Sequence, residues 1–324
     1  MSPNIPDLNR ATRASGPSRN RQAVRSILTW SLIIGAGIFL THILAPEIQV
    51  LRRSMAVIAW PQVVLAAIAA IPMYLIKGCY HLSLLDRIGT SRGSWRKDLP
   101  IYLQAQIVRY LPGKIWGIVY QSQRMSGNHQ SSAVVVANLW QMATTNFLAA
   151  GLVISLLLAL RYSYAWALLL IPVVIAVEWL HRHPAMETWA LKQLARFLPR
   201  LVPLAGDGPL PPMPWKGTAM LCSEWIFYFL AFACMLHDLV DWHSLFLIAT
   251  WYGGASLLAL AAFVVPAGIA VREAIFIAAP QVTQADAATL AITAALARLV
   301  FLGSEISAAL FASVLNLGRR HERQ

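Results

Sequence analysis

Two short runs set ionisable residues against helix breakers, and they are where this sequence could do chemistry. The first reads Arg109-Tyr110-Leu111-Pro112-Gly113-Lys114-Ile115-Trp116-Gly117-Ile118-Val119-Tyr120-Gln121. Pro112 lacks an N–H and Gly113 accepts backbone that other residues avoid, so a helix is expected to break there. A helix restarting after the break would aim free N–H groups at it, which favours anions. Arg109, Lys114 and Arg124 add formal positive charge. One reading is a phosphate or lipid-headgroup site. The other is a basic interfacial turn, with Trp116 and Tyr120 as membrane-interface anchors.

The second run reads Val265-Pro266-Ala267-Gly268-Ile269-Ala270-Val271-Arg272-Glu273-Ala274. Charges in so apolar a context need partners or water. Adjacent residues on a helix do not face one another, so Arg272 and Glu273 are each expected to pair elsewhere. Arg298 and Glu305, seven apart on a later apolar run, share a helix face and are the candidates. An Arg298–Glu273 pair would be a structural clamp; an Arg298 facing a cavity would be a headgroup ligand.

Elsewhere, Asn138, Gln141 and Thr145 recur at helical spacing, with Asn146 beside them. Such a stripe should face the interior of a helix bundle, either as interhelical glue or as the lining of a polar groove. Glu224 is either a paired structural acid or a proton-coupling group. There is no P-loop, G-x-S-x-G elbow, H-E-x-x-H or dinucleotide fingerprint. No acidic cluster suggests a metal, so neither catalysis nor any metal or cofactor is expected. His181-Arg182-His183 reads as part of a basic loop without carboxylate partners. Cys79, Cys222 and Cys234 lack metal-ligand spacing and read as buried structural thiols.

These residues are held by very apolar elements. The chain is 58% hydrophobic and 12% charged, about half the charge usual in soluble domains. A bilayer core of ~30 Å needs about 20 apolar residues per helix, and spans are expected near 27–45, 55–76, 131–160, 164–180, 218–236, 244–265 and 287–315. The segments 99–120 and 263–280 are apolar but Pro/Gly-broken, and possible re-entrant elements. The expected fold is thus all-α, a polytopic transmembrane bundle of seven to eight spans. Residues 1–25 read as a disordered basic tail, 26–317 as the membrane domain with a loop over 181–216 between halves, and 318–324 as a basic C-terminal tail.

Loop charge orients the bundle. The formal net charge is +12, carried between apolar runs, which points to membrane topology and anionic headgroups rather than nucleic acid. Five N-terminal arginines join Lys77, Arg87, Arg92, Arg96 and Lys97, and then Arg182, Lys192, Arg196, Arg200 and Lys216. All fall on one side, against Arg52, Arg53 and Arg161 on the other. The first side is expected to be cytoplasmic, with the N-terminus. Eight crossings put Arg319 and Arg320 there too; seven crossings plus two re-entrant elements fit the broken segments instead.

Tyr110-Leu111-Pro112-Gly113-Lys114-Ile115-Trp116-Gly117, and Pro266-Ala267-Gly268-Ile269-Ala270-Val271-Arg272-Glu273 followed by Arg298, resemble the flippase-like transmembrane region of lysylphosphatidylglycerol synthases and its stand-alone relatives. The likeness runs from about residue 27 to 316. It implies a bundle with re-entrant elements, in a family linked to flipping aminoacylated lipids or handling lipid-linked saccharides. Ala267 and Ala270 stand where glycines would be expected, and no soluble aminoacyl-transfer domain follows the last helix. The leading expectation is therefore translocation of an anionic phospholipid or lipid-linked saccharide across a bacterial cytoplasmic membrane. Arg109, Lys114 and Arg272 would engage phosphate. The alternative is a non-transporting partner that scaffolds an envelope lipid or glycan enzyme.

Overall fold

The computed structural model describes residues 59–88, 93–108, 116–126, 129–183, 185, 211–261 and 271–321, the side chains of 261 and 315–321 excepted. Every regular element among them is helical. In chain order they are α1 (Trp60–Ile88), α2 (Trp95–Val108), α3 (Trp116–Met125), α4 (Ser131–Arg161), a 3-10 turn (Tyr164–Leu169), α5 (Leu170–Arg182), α6 (Lys216–Leu236) and α7 (Trp242–Leu258). A second 3-10 turn (Ala259–Ala261), α8 (Val271–Ile277), α9 (Pro280–Thr283) and α10 (Ala287–His321) complete the order.

Capping residues set two of the starts. The Asp241 carboxylate accepts the N–H groups of His243 and Ser244 at 2.9 and 3.0 Å, which otherwise lack partners in the first turn of α7. The Ser244 hydroxyl and N–H hold that carboxyl below the usual range. Asp286 does the same for α10, accepting the N–H and hydroxyl of Thr289 at 2.8 Å each. Just before it, Gln284 takes φ 58°, the left-handed conformation that ends α9 and turns the chain into α10.

α1, α6 and α10 form the centre. α1 and α6 run antiparallel, stitched by Gln62 to Asp238, by Lys77 to Glu224 and by Arg87 to the Pro211 carbonyl. α10 runs parallel to α1, and its Ser304 hydroxyl donates to the Ala67 carbonyl at 2.8 Å. Two apolar cores share these three helices. One packs Tyr80, Leu84, Tyr102, Trp140 and Leu221 where α2, α3, α4 and α5 gather. The other packs Phe232, Ile248, Tyr252, Phe276 and Val300 where α7 and α8 gather.

Outside these cores the polarity is inverted relative to a soluble protein. Val64, Leu65 and Ile68 on α1, Phe147 and Ile154 on α4, Ile171 and Ile175 on α5, and Leu310 and Phe311 on α10 all face outward. His81, Asp98, Gln141, His181 and Glu305 are buried. That pattern suits lipid as the surrounding solvent. Among the described residues, five segments are long and apolar enough to cross a bilayer: Trp60–Ile88, Ser131–Arg161, Tyr164–Arg182, Lys216–Leu236 and Ala287–Val314.

Two expectations change. The span expected at 55–76 begins at Trp60 and continues to Ile88, so Lys77 lies inside a helix rather than in a loop. The span expected at 244–265 is a 17-residue helix, about 26 Å at 1.5 Å per residue, closed by a 3-10 turn. Of 263–280, residues 271–280 are described, and they open with α8, whose seven residues cover about 10 Å. The expected span 27–45 and the breaks at Pro112-Gly113 and Pro266-Gly268 lie outside the described residues.

Candidate functional site

α8 carries Arg272 and Glu273 in its first turn, and α10 brings Arg298 to them. Arg272 Nη2 donates to Glu273 Oε1 at 2.7 Å, and Arg298 Nη1 donates to the same oxygen at 2.9 Å. The clamp weighed from sequence is present, and Arg272 joins it by pairing with its own neighbour Glu273, which adjacency argued against. An arginine side chain is long enough to curl back along its own helix, whatever the directions of the two Cβ atoms. Arg272 also sits 4.7 Å above the Tyr252 ring, a cation–π contact.

Aromatic packing positions the cluster. Tyr252 meets Phe276 edge-on at 5.2 Å, and Trp251 Nε1–H donates to the Phe276 carbonyl at 3.3 Å, so α7 holds α8 at Phe276. Glu273 Oε2 is buried and has no hydrogen-bond partner among the described residues. Two guanidiniums share one carboxylate oxygen in largely buried surroundings. Guanidiniums brought together in this way suit an anion.

A second polar region lies at the other end of the bundle, on α1, α3 and α4. His81 is fully buried, with Nδ1 2.8 Å from Gln141 Oε1 and Nε2 2.7 Å from Gln121 Nε2. Its ring stacks on Tyr102 at 4.5 Å. Gln141 Nε2 donates to the Lys77 carbonyl at 3.0 Å, and Asn138 Nδ2 donates to Gln121 Oε1 at 2.6 Å. Gln121 must spend an N–H on His81 Nε2, so the His81 proton lies on Nδ1 and points at Gln141. The stripe read from spacing is real at Asn138 and Gln141. Asn146 departs from it, donating to the Met142 carbonyl of its own helix at 2.7 Å. Thr144, not Thr145, joins the interior network, through Tyr80 at 2.9 Å.

A chain of groups leads from Tyr80 to the protein surface. The Tyr80 hydroxyl is 2.9 Å from His181 Nε2, and His181 Nδ1 is 3.0 Å from Thr218 Oγ1. The Thr218 hydroxyl donates to Glu178 Oε2 at 2.6 Å. Thr218 has one proton and gives it to the carboxylate, so it accepts from His181 Nδ1–H, and Nε2 accepts from Tyr80. The basic-loop reading of His181-Arg182 is therefore overturned. His181 is buried in the last turn of α5, and Arg182 pairs with Glu178 one turn away at 2.6 Å.

The other expected residues are more dispersed. Lys77 and Glu224 make a 2.7 Å ion pair between α1 and α6, which places Glu224 among paired acids. Glu305 is fully buried on α10. Tyr120 donates to Gln104 Oε1 at 2.7 Å and lies under Arg124, while Gly117 is buried and Trp116 is half exposed. Arg109, Pro112, Gly113, Lys114, Pro266 and Gly268 lie outside the described residues.

No family model, curated protein or solved structure matches the chain. Sequence reasoning missed His81, Tyr80, Tyr102, His181 and the buried Asp98–His129 pair, whose Oδ2 and Nε2 lie 3.2 Å apart. The one signal was helical spacing: Lys77 and His81 lie one turn apart on the face that also presents Tyr80 and Leu84.

Proposed function

We propose that this chain is a membrane translocator for an anionic phospholipid or lipid-linked saccharide, and that Arg272 and Arg298 read the phosphate. The observation that carries the proposal is the convergence of two guanidiniums, Arg272 and Arg298, on one Glu273 oxygen, among helices whose outer faces are apolar. A phosphate brought there would meet two bidentate-capable donors. Arg109 and Lys114 enter from sequence alone, as does the resemblance to flippase-like transmembrane regions.

Charge at the helix ends supports an orientation in a bacterial cytoplasmic membrane. Arg87, Arg96, Lys97, Arg124, Arg182 and Lys216 gather where α1 ends and α6 begins. Asp238, Asp241 and Asp286, with Arg161, gather at the opposite ends. The first face is then cytoplasmic. α7 starts, and α10 starts, at the acidic face, so the chain between them returns to the face it left. On this reading the C-terminus joins the basic side, and an N-terminal span over 27–45 puts the N-terminus there as well. The total is eight if α7 and its return each cross, six if they re-enter.

The test is lipid scrambling by purified protein in liposomes, with labelled anionic and lipid-linked-sugar reporters, beside Arg298→Gln and Lys114→Glu. Transport by the wild type and a tenfold or greater loss in folded, inserted variants supports the reading. No transport of either reporter overturns it in favour of the scaffold.

A further inference from the structure

α5 and α6 meet along a groove of about 490 Å³ that opens to the outside of the bundle. Val174 and Ile175 on α5, with Ala219 and Cys222 on α6, line its apolar stretch. Glu178, Arg182 and Thr218 line the other end. That end is where two bilayer-length segments stop, Tyr164–Arg182 at its C-terminus and Lys216–Leu236 at its N-terminus. Trp179 and Trp215 flank it, both exposed, and Trp179 stacks on His183 at 4.5 Å. Exposed tryptophans at helix ends mark headgroup depth in a bilayer. The groove therefore runs from hydrocarbon to headgroup level, apolar at one end and charged at the other.

Its charge pattern selects the occupant. Glu178 and Arg182 lie one turn apart on the same face and neutralise each other. A singly anionic headgroup would find a cation already answered by a carboxylate. A zwitterion would find both its complements side by side. Neither residue is saturated by its present bonds. Arg182 uses Nε on Glu178, leaving the Nη donors for a phosphate. Glu178 accepts from Arg182 and Thr218, two of about four acceptor positions on a carboxylate, leaving room for an ammonium.

We propose that this groove holds a phosphoethanolamine-headed lipid as a resident, with phosphate on Arg182, ammonium on Glu178 and one acyl chain along Val174, Ile175, Ala219 and Cys222. The site is separate from the arginine trio and does not rest on the translocation reading. Glu178 also receives the Thr218–His181–Tyr80 chain, so the bound headgroup is one hydrogen bond from the buried polar interior.

The test is native mass spectrometry of the full chain, supplied equally with dioleoyl phosphatidylethanolamine, phosphatidylglycerol and phosphatidylcholine. The expected result is at least tenfold preferential retention of the ethanolamine lipid, reduced to the level of the others in Glu178→Gln and in Arg182→Gln. Arg182→Gln keeps the Thr218–Glu178 bond and should leave the melting temperature unchanged, which separates lost binding from lost folding. Equal retention of the three lipids, equal retention of the choline and ethanolamine lipids, or undiminished preference in a folded Arg182→Gln variant would overturn the proposal.

Discussion

Glu273→Gln removes the charge that holds two guanidiniums together while leaving the side chain's shape. Arg272 Nη2 lies 2.7 Å, and Arg298 Nη1 2.9 Å, from the same Oε1, so the two nitrogens are no more than about 5.6 Å apart. Two unit charges at that separation repel by about 3 kcal/mol at an effective dielectric of ~20, which the Glu273 carboxylate offsets in the wild type and which is left uncompensated in the variant. The arginine side chains are 22% and 33% exposed, and screening lowers the expected cost to roughly 2 kcal/mol. That is about a 30-fold shift in the unfolding equilibrium at 1.4 kcal/mol per decade. Reversible unfolding of purified protein in mixed micelles reads it directly. Adding Arg272→Gln should recover more than half of the loss, because one cation then remains; the lost contact with Tyr252 keeps recovery incomplete. A loss below about 0.5 kcal/mol in the single variant, or a double variant worse than the single, would refute the shared-carboxylate account.

Three further outcomes are expected. Lys77→Met or Glu224→Gln strands a charge whose partner was 2.7 Å away, costing about 2 kcal/mol by the same unfolding assay, and Lys77→Met with Glu224→Leu should recover most of it; a double variant worse than either single would count against this. At Gly151 an added Cβ meets both γ-carbons of Val173, whereas at Gly303 it meets nothing within 4 Å. Gly151→Ala should therefore lose roughly 1–3 kcal/mol and Gly303→Ala should be neutral or stabilising, and equal melting shifts would contradict the α4–α5 packing. Burial pushes the Asp286 carboxyl up, but the N–H and hydroxyl of Thr289 outweigh it and hold it below the usual range. Such a depressed acid stabilises the fold above its unfolded value of about 3.9 and loses that contribution as pH falls through the folded value. Asp286→Ala should thus cost about 1 kcal/mol at neutral pH, with the gap to wild type narrowing below about pH 4; a constant gap would remove the ionised cap from the account.

The long apolar helices were legible because lipid imposes their length and composition, and both ends of α4 and α6 and the start of α10 follow the apolar runs closely, whereas α10 continues to His321, past the end expected at 315 and into the expected tail. α1 was truncated at Lys77 because hydropathy drops at the first charge, whereas a helix stops only where its backbone finds other partners. Twelve residues that read as loop continue the helix, and they carry Tyr80 and His81. His181 was misread for the same reason. Gln141 was recognisable from its spacing, but its partner His81 is 60 positions away, and no local pattern encodes such a pairing. Arg298 and Glu273 were legible as a pair because charges in apolar runs have few ways to be satisfied.

The Lys77–Glu224 pair also constrains how the chain is made. Lys77 leaves the ribosome 147 residues ahead of its partner, a delay of roughly 7–30 s at 5–20 residues per second. For that interval Lys77, in the second half of α1, has no Glu224 to meet it, and for the first part of it His81, 60 residues ahead of Gln141, lacks its partner too. Those turns are too polar to enter lipid alone, so during translation they must wait at the bilayer surface or against the insertion machinery. The nascent α1 is then a half-inserted helix, drawn fully into register only when α4 and α6 emerge. Truncating the message between codons 161 and 216 should trap that intermediate, with Lys77 still open to water-soluble amine reagents.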